Sequence, residues 1–362
     1  MQIPNLDGLG WVAFFEQQFE LIRQDGWLPA RVVREDRERY TVWNDGCEFA
    51  AEVSGKFHHE ACRRADFPAV GDWVGVTARP CESAATIHGV LPRLTCFSRK
   101  APGSNVEQQI LAANVDTAFL VCGLDKDFNL RRIERYLQAA GDSGAAPVIV
   151  LNKADCCVDC AERCGAVRRI AGGAPTYAVS AVTGQGVNEL GDYLGRGQTV
   201  VLAGSSGVGK STLINHFLGA PVQPTGAVRE DDNHGRHTTT RRELFVLPGG
   251  GIVIDVPGLR ELQVWGDEET LACTFEDIEA LAAQCRFKDC THAAEPACAI
   301  RAALESGRLE SGHFENYQKL QRELRHLAIE NDARAKRAQK QKWKSLHRQM
   351  RKMNRERARW TL

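Results

Sequence analysis

The spacing of hydrophobic positions changes repeatedly along this chain. In residues 1–25, Trp11, Phe14, Phe15, Phe19 and Ile22 recur at helical intervals and predict an amphipathic helix. From Leu28 to about Arg93 short β-like runs take over: Ala30-Arg31-Val32-Val33, Tyr40-Thr41-Val42-Trp43, Phe49-Ala50-Ala51-Glu52-Val53 and Asp72-Trp73-Val74-Gly75-Val76. Turn signals at Asn44-Asp45-Gly46 and Val70-Gly71-Asp72 separate them. About five such strands predict a small Greek-key barrel, an OB-fold in first place with an SH3-like barrel as the alternative. Between residues 98 and 262 the runs become continuously apolar: Thr117–Val121, Pro147–Leu151, Thr199–Ala203 and Ile252–Ile254. Runs of this kind suit a parallel sheet covered on both faces, and Leu130–Gly141 reads as a crossover helix. Beyond Asp267 the pattern turns helical, passes a Cys/His cluster and ends in a charged helix from about His313 to Trp360.

The implied organisation is a helical extension at 1–27, an OB-fold at 28–95, an α/β domain at 98–262, a helical domain at 263–330 and a tail at 331–362. A chain of 362 residues is too long for a single core. No apolar run reaches about 18 residues, so no membrane span is expected. The first twenty residues lack the basic start of a signal peptide, and thirteen cysteines then read as reduced thiols in a cytoplasmic protein. Net charge is zero, but residues 333–362 hold twelve Lys or Arg against one acid, Glu356. Such a tail points to an anionic partner such as nucleic acid.

Five short motifs carry the chemistry. Gly204-Ser205-Ser206-Gly207-Val208-Gly209-Lys210-Ser211-Thr212 follows an apolar strand and opens a helix, the context of a phosphate loop. Its backbone N–H groups would cradle phosphates, Lys210 would reach the β- and γ-phosphates, and Ser211 would ligate Mg²⁺. Asn152-Lys153-Ala154-Asp155 also ends a strand. The Asp155 carboxylate can accept from both guanine N1–H and N2–H₂, a donor pair that adenine lacks; Asn152 would meet N7 and the Lys153 stem would cover the ring. Ser180-Ala181 would complete the base site, with the Ala181 N–H on guanine O6. Asp255 closes a third strand and would act on Mg²⁺ through water, the Gly258 N–H would sense the γ-phosphate, and Thr239 is the preferred threonine for Mg²⁺. Leu259 stands where many GTPases carry a water-positioning Gln, so His237 is the candidate catalytic group. The order is unusual: the guanine-reading motifs precede the phosphate loop, as in a circularly permuted GTPase domain.

Cys285-x4-Cys290-x-His292-x5-Cys298 supplies three thiolates and one imidazole, the donor set of a closed structural zinc site. Cys156, Cys157, Cys160 and Cys164 are dense too, but lie in a helix-like segment without a paired knuckle and read as free thiols.

Together these residues resemble the circularly permuted small ribosomal subunit biogenesis GTPases, the RsgA (YjeQ/YloQ) family. The resemblance rests on Gln108–Asp116, Arg132–Leu137, Asn152–Asp155, Gly204–Thr212, Gly235–Thr240, Asp255–Gly258 and Cys285–Cys298, and spans about residues 28 to 330. It implies an OB-fold, a permuted GTPase domain and a zinc-binding helical domain. It also implies GTP hydrolysis stimulated by the small subunit and a role in that subunit's late maturation, with GTP/GDP, the 30S subunit and 16S rRNA as partners. A cytoplasmic monomer is expected. The N-terminal helix, the cysteines at 156–164 and the basic tail depart from the family pattern. Two other readings stay open: a GTP-dependent switch on a non-ribosomal protein or RNA partner, with zinc as cargo in one version, and a nonenzymatic scaffold that merely binds GTP.

Overall fold

The computed structural model describes residues 3–36, 39–100, 107–222, 242–256 and 268–328. A single turn at Asp7–Leu9 precedes helix α1 (Ala13–Ile22). The predicted N-terminal helix is thus shorter, because Gly10 takes a left-handed φ of 83° that ends the turn and Val12 is extended. Its apolar face is used as the spacing implies: Phe15 and Phe19 are buried, and Trp11 and Phe15 pack on Trp73.

Strands β1 (Leu28–Asp36), β2 (Arg39–Asn44) and β3 (Cys47–Val53) form a meander, and helix α2 (Gly55–Glu60) leads on to β4 (Trp73–Arg79) and β5 (Ala84–Val90). The order is β1-β2-β3-β5-β4, with β4 returning to β1 and β3 parallel to β5. This closure, with a helix between the third and fourth strands, is that of an OB-fold and sets aside the SH3-like alternative. Ala30, Val32, Val42, Phe49, Val74, Val76 and Ile87 fill the barrel.

A hairpin of β6 (Cys96–Lys100) and β7 (Gln108–Ala113) connects to the α/β domain. There follow β8 (Thr117–Gly123), α3 (Leu130–Ser143), β9 (Ala146–Asn152), α4 (Cys160–Ile170), β10 (Thr176–Ala178), β11 (Thr199–Gly204), α5 (Lys210–Leu218), β12 (Arg242–Val246) and β13 (Ile252–Asp255). In space the order is β10-β9-β8-β11-β13-β12, all parallel except β12. The late strand β11 therefore inserts at the centre, between β8 and β13. Apolar clusters line both faces, which is why these strands read as unbroken hydrophobic runs.

Two joints hold the barrel to this sheet. Antiparallel β12 pairs with β1, and the charges there are reciprocal: Arg34 binds Glu243, while Arg242 binds Glu35 at 2.9 Å. Behind them Arg31 is only 1% exposed; it donates to the carbonyls of Leu9, Gly71 and Asn114 and to Thr199 Oγ1 at the start of β11. Its polar partners come from the N-terminal turn, the barrel and the α/β domain, so one buried guanidinium fastens all three.

The last described unit comprises α6 (Glu268–Thr274), α7 (Glu276–Ala282), α8 (Ala299–Glu305) and α9, residues 311–328. Its core contains Phe275, Ile278, Ile300, Phe314 and Leu320. It meets α3 through α6, where Thr270 lies against Gly141, and through charged side chains. Glu134, 1% exposed, accepts from His313 at 2.7 Å, from Asn316 at 2.6 Å and from Arg131. The other nitrogen of His313 faces Asp277 at 3.2 Å, and Arg135 pairs with Glu323 at 2.6 Å.

Burial would lower the His313 pKa, but hydrogen bonds and charge from Asp277 and Glu134 prevail and raise it to about 9. A group whose pKa rises on docking contributes stability below its free value of 6.5, and that contribution is lost as pH climbs through about 9. The docked C-terminal unit should therefore melt at a lower temperature at pH 10 than at pH 6.5. His313→Gln should flatten that dependence, measured by thermal unfolding across the range.

Candidate nucleotide and metal sites

The carboxyl ends of β8, β9, β11 and β13 lie along one edge of the sheet, where open α/β sheets bind ligands. The motifs that the sequence scatters over 104 positions, from Asn152 to Asp255, meet there because every one of them ends a strand or follows one.

Asn152 holds the loops together. It is 2% exposed; its Nδ2 donates to Val208 O of the phosphate loop at 2.7 Å, and its Oδ1 accepts the Ala181 N–H at 2.9 Å. The Ala181 N–H, assigned on sequence grounds to guanine O6, is here engaged by Asn152. This strut also explains a glycine. At Gly209 φ is +100°, and a Cβ would stand 2.1 Å from Asn152 Nδ2.

Lys153 sits in a left-handed conformation with φ 68°, and its ammonium meets Asp125 at 2.6 Å, just beyond β8. Burial would raise the Asp125 pKa, but the Lys153 hydrogen bond and charge, with the Asp127 N–H, hold it below the usual value. Ala154 is fixed by its N–H to Val179 O at 3.0 Å. The Asp155 carboxylate is exposed, and hydrogen bonds from Ser180 and then Cys156 keep its pKa low. An ionised, accessible carboxylate is the acceptor that a guanine edge requires.

In the phosphate loop Ser206 and Gly207 are exposed, Ser205 is buried, and Ser211 and Thr212 occupy the first turn of α5. Lys210 is buried and donates to the carbonyls of Gly204 at 2.8 Å and Ser205 at 2.9 Å. Burial lowers its pKa to about 8 against the opposing charge of Asp255. Asp255 itself is raised to about 6, first by burial, with Lys210 opposing and Glu243 adding to the rise. Its Oδ2 is buried without a hydrogen-bond partner. A lone buried carboxylate oxygen beside a buried lysine fits a site completed by a hydrated cation and phosphate oxygens. His237, Thr239, Gly258 and Leu259 lie outside the described residues, as does the tail from 329 onward.

The second site is compact. Cys285, Cys290, His292 and Cys298 place their ligand atoms within 4.8 Å of one another. His292 Nδ1 lies 3.6 Å from Cys285 Sγ and 3.5 Å from Cys298 Sγ, and the two sulfurs are 3.9 Å apart. Tetrahedral Zn–S and Zn–N bonds of about 2.3 and 2.05 Å would give edges of about 3.8 and 3.5 Å. The four donors fit zinc. His292 and Ala297 take positive φ values of 61° and 58° to bring the donors in. Glu295 braces this loop, accepting from Thr291 N and Oγ1, Ala293 N and Ala294 N. Among the described residues no other set of three or more His, Cys, Asp or Glu side chains converges this way. Of the other cysteine group, Cys160 and Cys164 approach to 3.9 Å on one face of α4.

A family profile described as RsgA GTPase matches residues 90–265, taking in all the described nucleotide motifs. The small ribosomal subunit biogenesis GTPase RsgA of Opitutus terrae is 49% identical over 98% of this chain and 100% of its own length. This chain belongs to the RsgA GTPase family. The RsgA of Syntrophotalea carbinolica is 45% identical, covering 97% of this chain and 98% of that one. The crystal structure of YjeQ from Thermotoga maritima superposes with a TM-score of 0.59 at 29% identity, over 82% of this chain and 98% of that one. A second profile, described as 50S ribosome-binding GTPase, matches residues 199–359. It starts at β11, the strand with which an unpermuted domain opens, and so enters the permuted chain partway along. Like other members of the RsgA GTPase family, the protein is a GTP hydrolase.

Three functional neighbours escaped the sequence reading. Asp125 left a faint signal, a carboxylate just past an apolar strand. Glu295 was visible only as part of a motif. Tyr136, whose hydroxyl lies 3.2 Å from Ser205 Oγ, was visible only within the run Arg132–Leu137, with no role attached.

Asn152→Ala would leave the Val208 carbonyl and the Ala181 N–H buried and unpaired. Urea unfolding should show a loss of about 2–4 kcal/mol. GDP affinity should fall with it, because the phosphate and base loops lose their common strut.

Proposed function

We propose that this chain is a guanine-nucleotide switch that assists late maturation of the small ribosomal subunit and hydrolyses GTP faster when bound to it. The observation that carries the nucleotide reading is the convergence of Asn152, Lys153, Asp155, Ser180, Lys210 and Asp255 on one sheet edge, tied together by the Asn152 amide. The ribosomal reading rests on the RsgA relatives, which are small ribosomal subunit biogenesis GTPases by name and match nearly the whole chain.

Asp155 and the Ser180–Ala181 loop select guanine. The loop from Gly204 to Gly209 wraps the phosphates, and Lys210 exchanges its two loop carbonyls for β- and γ-phosphate oxygens. Ser211 and Thr239, with Asp255 through water, would hold Mg²⁺, which neutralises phosphate charge when bound. Gly258 reads the γ-phosphate. Leu259 cannot orient water, and His237 takes that role on the bound subunit. Cys285, Cys290, His292 and Cys298 hold one structural zinc; a closed set leaves no position for transfer, which argues against zinc as cargo. The partners are GTP/GDP, the 30S subunit and 16S rRNA, with the basic tail adding phosphate contacts. The protein works as a cytoplasmic monomer. No helix among the described residues is long and apolar enough to cross a membrane.

Asp155→Asn should shift binding from guanine toward xanthine nucleotides, read by competition against a fluorescent analogue. Equal affinity of the wild type for ATP and GTP would rule the assignment out. The chain should co-sediment with 30S particles in a non-hydrolysable GTP analogue and release in GDP; sedimentation indifferent to nucleotide would remove the switch. His292→Ala should lose zinc by elemental analysis and destabilise the C-terminal unit, since metal binding and folding are coupled.

A further inference from the structure

Helix α3 carries two buried polar contacts that point to different parts of the molecule. Glu134 holds the C-terminal unit through His313 and Asn316, and Arg135 adds the pair with Glu323. Two residues past Glu134, Tyr136 is 1% exposed, and its hydroxyl lies 3.2 Å from Ser205 Oγ. Ser205 belongs to the phosphate loop, and its carbonyl is one of the two that receive Lys210. A short covalent path of two residues thus separates the anchor of the zinc-bearing unit from a hydroxyl that touches the phosphate loop.

We propose that α3 couples docking of the C-terminal unit to the phosphate loop, with Tyr136 as the positioning residue that holds Ser205 in its nucleotide-ready place. This rests on the nucleotide assignment of that loop. The physical basis is rigidity. Residues 134 and 136 lie in one hydrogen-bonded turn, so a shift at Glu134 is carried to the Tyr136 ring, which is packed in the main core and cannot absorb it. Glu134 cannot be released cheaply, because a buried carboxylate without its partners is strongly penalised. The docked geometry of α9 therefore sets the position of α3, and the hydroxyl transmits that position to one side of the phosphate loop. Linkage makes the effect reciprocal: whatever docking does for nucleotide affinity, nucleotide must do for docking.

Two measurements on the full chain test this. The first is a double-mutant cycle on mant-GDP affinity with Tyr136→Phe and Asn316→Ala. Each single change should weaken binding about three- to tenfold, the size of one lost hydrogen bond, and the double variant should be no weaker than the worse single. Additive losses, or no loss from Asn316→Ala, would overturn the coupling. The second is hydrogen exchange of the α9 amides, residues 311–328. Mant-GDP should slow it in the wild type and leave it unchanged in Tyr136→Phe, while zinc content stays constant in both. Retained slowing in Tyr136→Phe would also overturn the proposal. Ser205→Ala removes the same hydrogen bond from the other end and should reproduce Tyr136→Phe, which guards against a variant that merely folds badly. A wild-type protein that binds no mant-GDP would instead defeat the nucleotide assignment itself.

Discussion

Two hydrogen bonds from one buried amide hold the proposed nucleotide site together. Asn152 spans from the phosphate loop, at Val208 O, to the base loop, at Ala181 N. The loops it joins belong to different stretches of a rearranged chain, and neither has regular hydrogen bonding of its own to fix it against the other. An apolar side chain at this position would leave two backbone groups unpaired in a dry setting. The close approach of Asn152 also dictates that position 209 be glycine. Lys153 then anchors to Asp125 and Asp155 stays exposed beside Ser180 and Cys156, so the proposed base-reading segment is oriented from its first residue.

The permutation leaves the architecture of the sheet intact and changes what its edge strands join. β12 lies at the margin of the α/β sheet and continues into the barrel through β1. Arg34, Glu243 and Asp255 stand in register across these three strands, so they share one face of the sheet. Glu243, which pairs with Arg34 of the barrel, is also one of the charges that raise the pKa of Asp255, the carboxylate assigned to the cation. The opposite face carries the reversed pair, Glu35 with Arg242. An ordinary edge strand would be open to strand pairing with other chains; here the barrel covers it and inherits its charge pattern.

The C-terminal unit is attached differently. Its own core is small, and four Cys/His donors converge beside it. Its interface with α3 combines close packing of α6, where Thr270 meets Gly141, with a buried carboxylate, Glu134, that accepts from His313 and Asn316. Such contacts have strict geometry and respond to pH, whereas the barrel joint adds strand pairing and the buried Arg31 to its ion pairs. The two attachments differ in kind.

Much of this was legible along the chain. Period-2 runs and turn signals announced the barrel, unbroken apolar runs announced the parallel sheet, and motif spacing announced the phosphate loop, the base loop and the zinc donors. Those features are local: strand pairing, phosphate cradling and tetrahedral ligation each need particular residue types at close sequence intervals. The rest came from contacts between distant residues. The choice of OB closure needed the parallel β3–β5 pairing. The shortened first helix needed the left-handed turn at Gly10. Arg31 read as one charge inside a strand, and Glu134 and Tyr136 only as members of the run Arg132–Leu137, because nothing near them in sequence shows which surfaces will cover them. A side chain's partners across 69 or 179 positions are decided only when the sheet orders its strands and the outer units close over it.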